Sequence, residues 1–192
     1  MKKWRLKSFV SIALLSSLAF ILMFIKFPIP PFPSFLTVDF SDIPVLVAAL
    51  LYGPAAAVLT ELLKNILNYL SLGSEAGVPI GQLANFFAGM LFVLPTYFIY
   101  RKIKTKKGMT FALIGGTLSM SVFMSILNYF VILPAYLYFM NFSVGNAKKY
   151  IVAGVLPFNM IKGILVTALF MAMFTKMQTW IEKQSAAHLK KI

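Results

Sequence analysis

Apolar runs long enough to cross a bilayer follow one another along this chain, and lysine and arginine mark their ends. A crossing helix needs about 20 consecutive, mostly apolar residues. The first run spans Ser8 to Ile25 and stops at Lys26 and the stretch FPIPPFP. Its basic start, MKKWRLK, resembles the leading region of a signal peptide. Further spans follow it and no small-residue cleavage site does, so it reads as a retained first helix. From Ile43 to Leu72 comes a 30-residue apolar run, interrupted at Tyr52-Gly53-Pro54. Gly-Pro is a break signal, so two short spans are expected here, at about 42–52 and 54–70. Three more fall at about 82–100, 109–138 and 150–177, with an interruption at Pro134 and a kink at Pro157. The expected fold is all-α, a single-domain bundle of six transmembrane helices over residues 1–192.

Charge supports the membrane reading and orients it. Charged residues make up 12% of the chain against about 25% in an ordinary soluble domain. Only Asp39, Asp42, Glu61, Glu75 and Glu182 are acidic, too few to solvate a surface that is 60% hydrophobic in composition. In a soluble protein the net charge of +13 would suggest nucleic acid. Here the basic residues cluster at segment ends, so no nucleic-acid partner is expected and the bilayer takes that place. Lys2, Lys3, Arg5 and Lys7, then Arg101, Lys102, Lys104, Lys106 and Lys107, then Lys176, Lys183, Lys190 and Lys191 fall on one side of a six-span chain. The other side holds only Lys26, Lys148 and Lys149. Positively charged loops stay inside, so both termini are expected in the cytoplasm of a multi-pass cell-membrane protein, with Trp4 and Trp180 at the inner interface. The outward loops are then about 26–41, 71–81 and 139–149. The Asn141-Phe142-Ser143 triplet in the last carries little weight, since nothing points to a glycosylating host.

Catalysis has little to work with. Cysteine is absent and His188 is the one histidine, so neither a zinc site nor a histidine acid–base pair can be assembled. No GxxxxGK[ST] loop occurs, which excludes nucleotide hydrolysis by that route. The chain is expected to be no enzyme and to need no cofactor or metal.

Polar residues inside the spans are few and therefore informative. Glu61, Asn65 and Asn68 share one face of the third span, and Lys64 is three residues after Glu61, placed to neutralise it. Polar residues of this kind also serve as ordinary glue between helices. Asn128 lies in the fifth span; Asn159 and Lys162, three apart, share a face of the sixth. Buried ammonium groups in a bilayer are costly and usually functional. No carboxylate lies within a turn of Lys162, so Asp39, Asp42, Glu61 or a ligand must supply its counter-charge. Small residues Ala13 and Ser17, extended by Ser16 and Ala19, offer a close-approach face on the first span, and Ala55-Ala56-Ala57 and Gly115-Gly116 do so elsewhere.

Taken together, the stretches VDFSDIPVLVAALLYGPAAAVLTELLKNILNYL and LPFNMIKG, in a chain of six short spans, resemble one family. It is the substrate-binding S components of energy-coupling-factor (ECF) vitamin transporters, and within it the riboflavin-specific members. The resemblance covers essentially the whole chain. It implies a six-helix bundle that captures one vitamin from outside and works with a membrane-embedded coupling (T) protein and two cytoplasmic ATPases; closure of the loops at 26–41 and 71–81 is the mechanism expected to accompany capture. Ala13 and Ser17 match the family's Ala-xxx-Ala coupling surface in part, since Ser17 stands where the second alanine would be.

Riboflavin is neutral, with a flat ring, an apolar dimethyl edge, an amide-like pyrimidine edge and a polyhydroxyl tail. Asparagine offers a donor and an acceptor together, matching that pyrimidine edge. Asn128 and Asn159 are the candidates, with Lys162 donating to ring or tail oxygens. Leu36, Phe35 and the Phe86-Phe87 pair are expected to cover the ring, with backbone groups near Gly81 and Gln82. Thr37, Asp39, Asn85 and Lys64 complete the candidate substrate-binding set. The alternatives are another vitamin or FMN as ligand, or an autonomous channel or facilitator. A pore needs polar residues through its full depth, and the inner halves of the last three spans offer mainly Thr117, Ser119 and Thr167.

Overall fold

A computed structural model describes residues 6–32, 36–74, 77–140 and 144–189 of the chain. Trp4, Phe35, Glu75, the Asn141-Phe142-Ser143 triplet and the terminal lysines lie outside them. Six helical runs appear. The first four are α1 (Leu6–Phe24), α2 (Asp42–Tyr52), α3 (Pro54–Leu72) and α4 (Ile80–Ile103). The last two are composite: α5 runs Lys106–Leu127, passes through a π-helical turn at Asn128–Ile132 and continues over Leu133–Met140. Likewise α6 runs Ala147–Tyr150, a π turn at Ile151–Val155, then Leu156–Leu189. A two-residue antiparallel hairpin, β1 (Phe27–Pro28) with β2 (Thr37–Val38), caps the entry to α2.

The expected break between the second and third runs is where the sequence places it. Gly53 has φ +93°, a value that L side chains rarely adopt, and Pro54 opens α3 at its first turn, where a missing N–H costs nothing. With 11 residues at about 1.5 Å each, α2 covers only half of a 30 Å hydrocarbon core. It needs no lipid-facing length, because nine of its residues, Asp42 to Leu51 with the exception of Val47, are buried inside the bundle. Among the described residues, four helical runs are long and apolar enough to cross a membrane: Leu6–Phe24, Ile80–Ile103, Lys106–Met140 and Ala147–Ala186. Their outer surfaces are apolar too, with Phe9, Leu14, Phe111, Leu118, Phe130, Val152 and Ile164 exposed. Exposure of this extent belongs in lipid and not in water.

The interruption expected at Pro134 is a change of helix type and not a break. The chain stays helical through Pro134 and Pro157, and the π turns lie directly ahead of each, spanning the fourth residue before it. Proline lacks an N–H and its ring crowds the carbonyl four residues earlier, so the extra residue of a π turn relieves that contact. Pro95 passes through α4 without such a turn, so proline alone does not create one. The two turns adjoin a small outer cluster of Leu133, Ile151 and Val155, separate from the main core.

Small residues set the helix spacing. On α1, Ser8, Ile12, Ser16, Ala19 and Met23 face inward, whereas Ala13 and Ser17 are exposed. Ser16 and Ala19 therefore belong to internal packing and do not extend the Ala13/Ser17 face. Gly116 of α5 meets α4: a Cβ there would lie 2.5 Å from the Phe92 carbonyl oxygen and closer still to Thr96 Oγ1. The backbone carbonyl has nowhere to retreat without moving α4. Gly116→Ala is therefore expected to destabilise the bundle by about 1–3 kcal/mol, the usual cost of overpacking. Thermal unfolding in detergent checks this, and an unchanged midpoint would mean that the α4–α5 contact is looser than described.

Candidate functional site

The ends of four elements enclose a cavity of about 110 Å³. Leu36 and Thr37 reach it from the hairpin; Gly81, Ala84, Asn85 and Ala88 line it from α4. Helix α5 contributes Met124, Asn128, Ile132 and Tyr136, and α6 contributes Phe158, Asn159 and Lys162. Helical spacing explains the pattern, since residues three or four apart share a face. Asn85 and Ala88, then Met124, Asn128, Ile132 and Tyr136, then Phe158 or Asn159 and Lys162 follow it.

Asn128 and Asn159 are each fixed by their own helix. Asn128 Nδ2 donates to the Met124 carbonyl at 2.8 Å, and Asn159 Nδ2 donates to the Val155 carbonyl at 2.9 Å. An amide nitrogen carries two N–H groups, so each side chain keeps one donor and its acceptor oxygen for a ligand. Asn85 is looser. Its Nδ2 stands 3.5 Å from Asp39 Oδ2, and its Oδ1 is buried without a partner. An unsatisfied buried acceptor costs about 1–3 kcal/mol.

Behind Lys162 lies a buried ionic cluster. Lys162 Nζ is 3.4 Å from Asp39 Oδ2 and 3.7 Å from Asp42 Oδ2, and the residue is 4% exposed. The counter-charge thus comes from two of the candidates named from sequence, Asp39 and Asp42. Asp39 Oδ1 accepts the Ser41 backbone N–H at 2.8 Å, which fixes the carboxylate. Lys64, fully buried on α3, is held much more tightly. Its Nζ lies 2.7 Å from Ser41 Oγ, 2.8 Å from Asp42 Oδ1 and 2.9 Å from Glu61 Oε2. Asn65 Nδ2 donates to Glu61 Oε1 at 3.1 Å, and Glu61 packs on Gly89 of α4.

The cavity lining therefore gathers Asn128, Asn159, Lys162, Leu36, Thr37 and Asn85 from the sequence-derived set, with Gly81 where a backbone contribution was expected. Asp39 stands one layer back, touching Lys162 and Asn85. Lys64 is further back and does not line the cavity. Gln82 turns away, donating to Asn68 Oδ1 at 3.1 Å and the Gly73 carbonyl at 2.9 Å, so it ties α4 to the end of α3. Phe86 packs edge-on to Phe87 with ring centroids 5.6 Å apart and joins the core instead of the lining. Sequence reasoning missed Ala84, Ala88, Met124, Ile132, Tyr136 and Phe158. The helical faces of Asn85, Asn128 and Asn159 carry them, and that spacing was the available signal.

Comparison with known proteins places this geometry. A family model described as "ECF transporter, substrate-specific component" matches residues 7–174. The chain belongs to that family. It is a transport component of the membrane and not an enzyme. The riboflavin transporter FmnP of Bacillus subtilis (strain 168) is 49% identical over 188 residues, covering 96% of this chain and 99% of that one. The riboflavin transporter RibU of Staphylococcus aureus (strain TCH60) is 42% identical over 179 residues, covering 92% and 93%. Among solved structures, one of the S component of a bacterial ECF transporter superposes with a TM-score of 0.78 at 42% identity, covering 91% of this S component and 97% of that chain.

Proposed function

We propose that this S component binds riboflavin in the cavity between the hairpin, α4, α5 and α6 and delivers it into the cell together with an ECF coupling module. One observation carries the reading. Asn128, Asn159 and Lys162 converge on one cavity, in a chain nearly half identical to a riboflavin transporter. The two amides suit the alternating N–H and C=O groups of the pyrimidine edge, and Phe158, Leu36, Met124 and Ile132 offer apolar contact to the ring. Leu36 and Thr37, on the hairpin, are the lining residues outside the long helices.

A channel is disfavoured by what lies below the ionic cluster. There the bundle interior is packed with Met120, Val166, Phe170 and Phe174, each at most 1% exposed, and the buried hydroxyls of Thr96 and Ser121 are turned onto carbonyls of their own helices. The remaining topology is part of the same proposal. The chain is one domain of six membrane helices, with the short, buried α2 reaching only partway through the bilayer; both termini are cytoplasmic, and capture is from outside. A membrane-embedded T protein with two ATPases supplies the work, and the exposed Ala13 and Ser17 of α1 supply a docking face. The lack of a P-loop pattern in the sequence fits that division of labour.

Purified protein titrated with riboflavin is expected to quench flavin fluorescence to an endpoint of about one vitamin per chain, the capacity of one enclosed pocket. Parallel titrations with FMN and thiamine are expected to quench less. Absence of quenching in folded, monodisperse protein overturns the substrate assignment.

A further inference from the structure

Two lysines compete for the same carboxylates in this molecule, and their distances differ in a consistent direction. Lys64 donates hydrogen bonds of 2.7 Å to Ser41 Oγ and 2.8 Å to Asp42 Oδ1 and stands 2.9 Å from Glu61 Oε2 as an ion pair. Lys162 has none shorter than 3.4 Å. Charge-assisted N–H···O bonds ordinarily close to about 2.7–2.9 Å, so Lys162 is neutralised without being saturated. The residue that makes the difference is Asp42, whose Oδ1 is taken by Lys64 while Oδ2 faces Lys162. Helix α3 contributes nothing to the cavity lining, yet it sends this one cation to the back of the wall.

We infer that Lys64 is a positioning residue for ligand binding: by occupying Asp42 and Glu61 it keeps Lys162 from being drawn into the acidic cluster. The donors of Lys162 then stay directed at the cavity. Asp39 has the opposite part, anchoring Lys162 from a carboxylate that is itself fixed by the Ser41 N–H. The inference rests on the riboflavin reading of the cavity and assigns to Lys64 a task that contact with the ligand does not provide.

Charge bookkeeping supports it. Three carboxyl groups (Asp39, Asp42 and Glu61) share two ammonium groups. Without Lys64 the surplus of negative charge falls entirely on Lys162. In a medium of low effective dielectric that attraction is strong enough to reorient a side chain with four rotatable bonds.

Three variants separate this from a merely structural role. Glu61→Gln/Lys64→Met removes Lys64 together with its Glu61 partner and leaves Asp42 free to take Lys162. Its riboflavin affinity is expected to fall roughly tenfold, the scale of coupling within one ionic network. Adding Asp42→Asn to that pair leaves Lys162 with Asp39 alone and is expected to restore affinity to within about threefold of the parent. Asp42→Asn by itself leaves two ammonium groups with two carboxyls, and so remains informative even if the double variant does not fold. It is expected to bind riboflavin at least as tightly as the parent. Fluorescence quenching reads all three, with detergent elution profiles reporting folding. Loss of affinity in Asp42→Asn, or no difference between the double and triple variants, overturns the inference. Absence of quenching by the parent protein instead overturns the substrate assignment and is seen first.

Discussion

Lys162→Met is expected to weaken riboflavin binding by roughly 10- to 100-fold while the protein still inserts in the membrane. A hydrogen bond to a charged group contributes about 1.5–3 kcal/mol, and each 1.4 kcal/mol is a factor of ten in affinity. Lys162 is the one ammonium on the cavity lining among the described residues, and its protein contacts are long enough to leave donors for a ligand oxygen. Methionine matches the length of the stem and fills the same space without the charge. It leaves Asp39 and Asp42 facing an apolar side chain, so thermal stability is expected to fall as well. Binding and stability must therefore be measured separately, by flavin quenching and by thermal unfolding. A variant that unfolds earlier but binds as tightly as the parent would take Lys162 out of the binding site and leave it a purely structural cation.

The path to Lys162 shows what the sequence could and could not deliver. Its presence in the middle of an apolar run was conspicuous, because a chain with so few charges advertises each one. The Glu61–Lys64 pair was legible too, since a spacing of three places both on one helical face, and the ions meet at 2.9 Å. The partner of Lys162 was legible only as a set of alternatives. Asp39 is 123 residues away in sequence, and nothing local to either residue specifies that contact. For Lys64 the sequence identified a buried cation but not the side of the pocket wall it occupies. Depth along a helix can be read from spacing, whereas its rotation relative to a ligand depends on every neighbouring helix.

Apolar lining was the harder part. Ala84, Ala88 and Met124 are ordinary residues in a chain of this composition, and only proximity to Asn85 and Asn128 on the same faces sets them apart. The π turns were equally hidden. Pro134 and Pro157 signalled a disturbance in each helix, yet Pro95 is accommodated without one, so the residue type does not determine the backbone response. By contrast, the α2–α3 boundary depended on a glycine and a proline in direct succession, and such local chemistry is what a sequence expresses most clearly.

Asp39→Ala is expected to have the largest effect on stability, about 3–5 kcal/mol, because breaking a buried ion pair from one side strands the other charge. Asp39 is 3% exposed and holds three elements at once: the Ser41 N–H at the entry to α2, Asn85 of α4 and Lys162 of α6. After its removal, Asp42 Oδ2 at 3.7 Å becomes the nearest carboxylate to Lys162 and must also serve Lys64. The combined variant Asp39→Ala/Lys162→Met takes away both members of the pair. It is expected to recover most of the lost stability, since an uncharged buried site lacks the desolvation cost of an unpaired ion. Riboflavin binding should not recover with it, because the donor at the cavity wall is gone. Such a divergence would separate two tasks of the cluster, fold maintenance by the pairing of Asp39 with Lys162 and ligand contact by the unsaturated donors of Lys162. If the double variant unfolds as early as Asp39→Ala alone, the stabilising contribution of Asp39 lies in the Ser41 and Asn85 contacts instead of the ion pair.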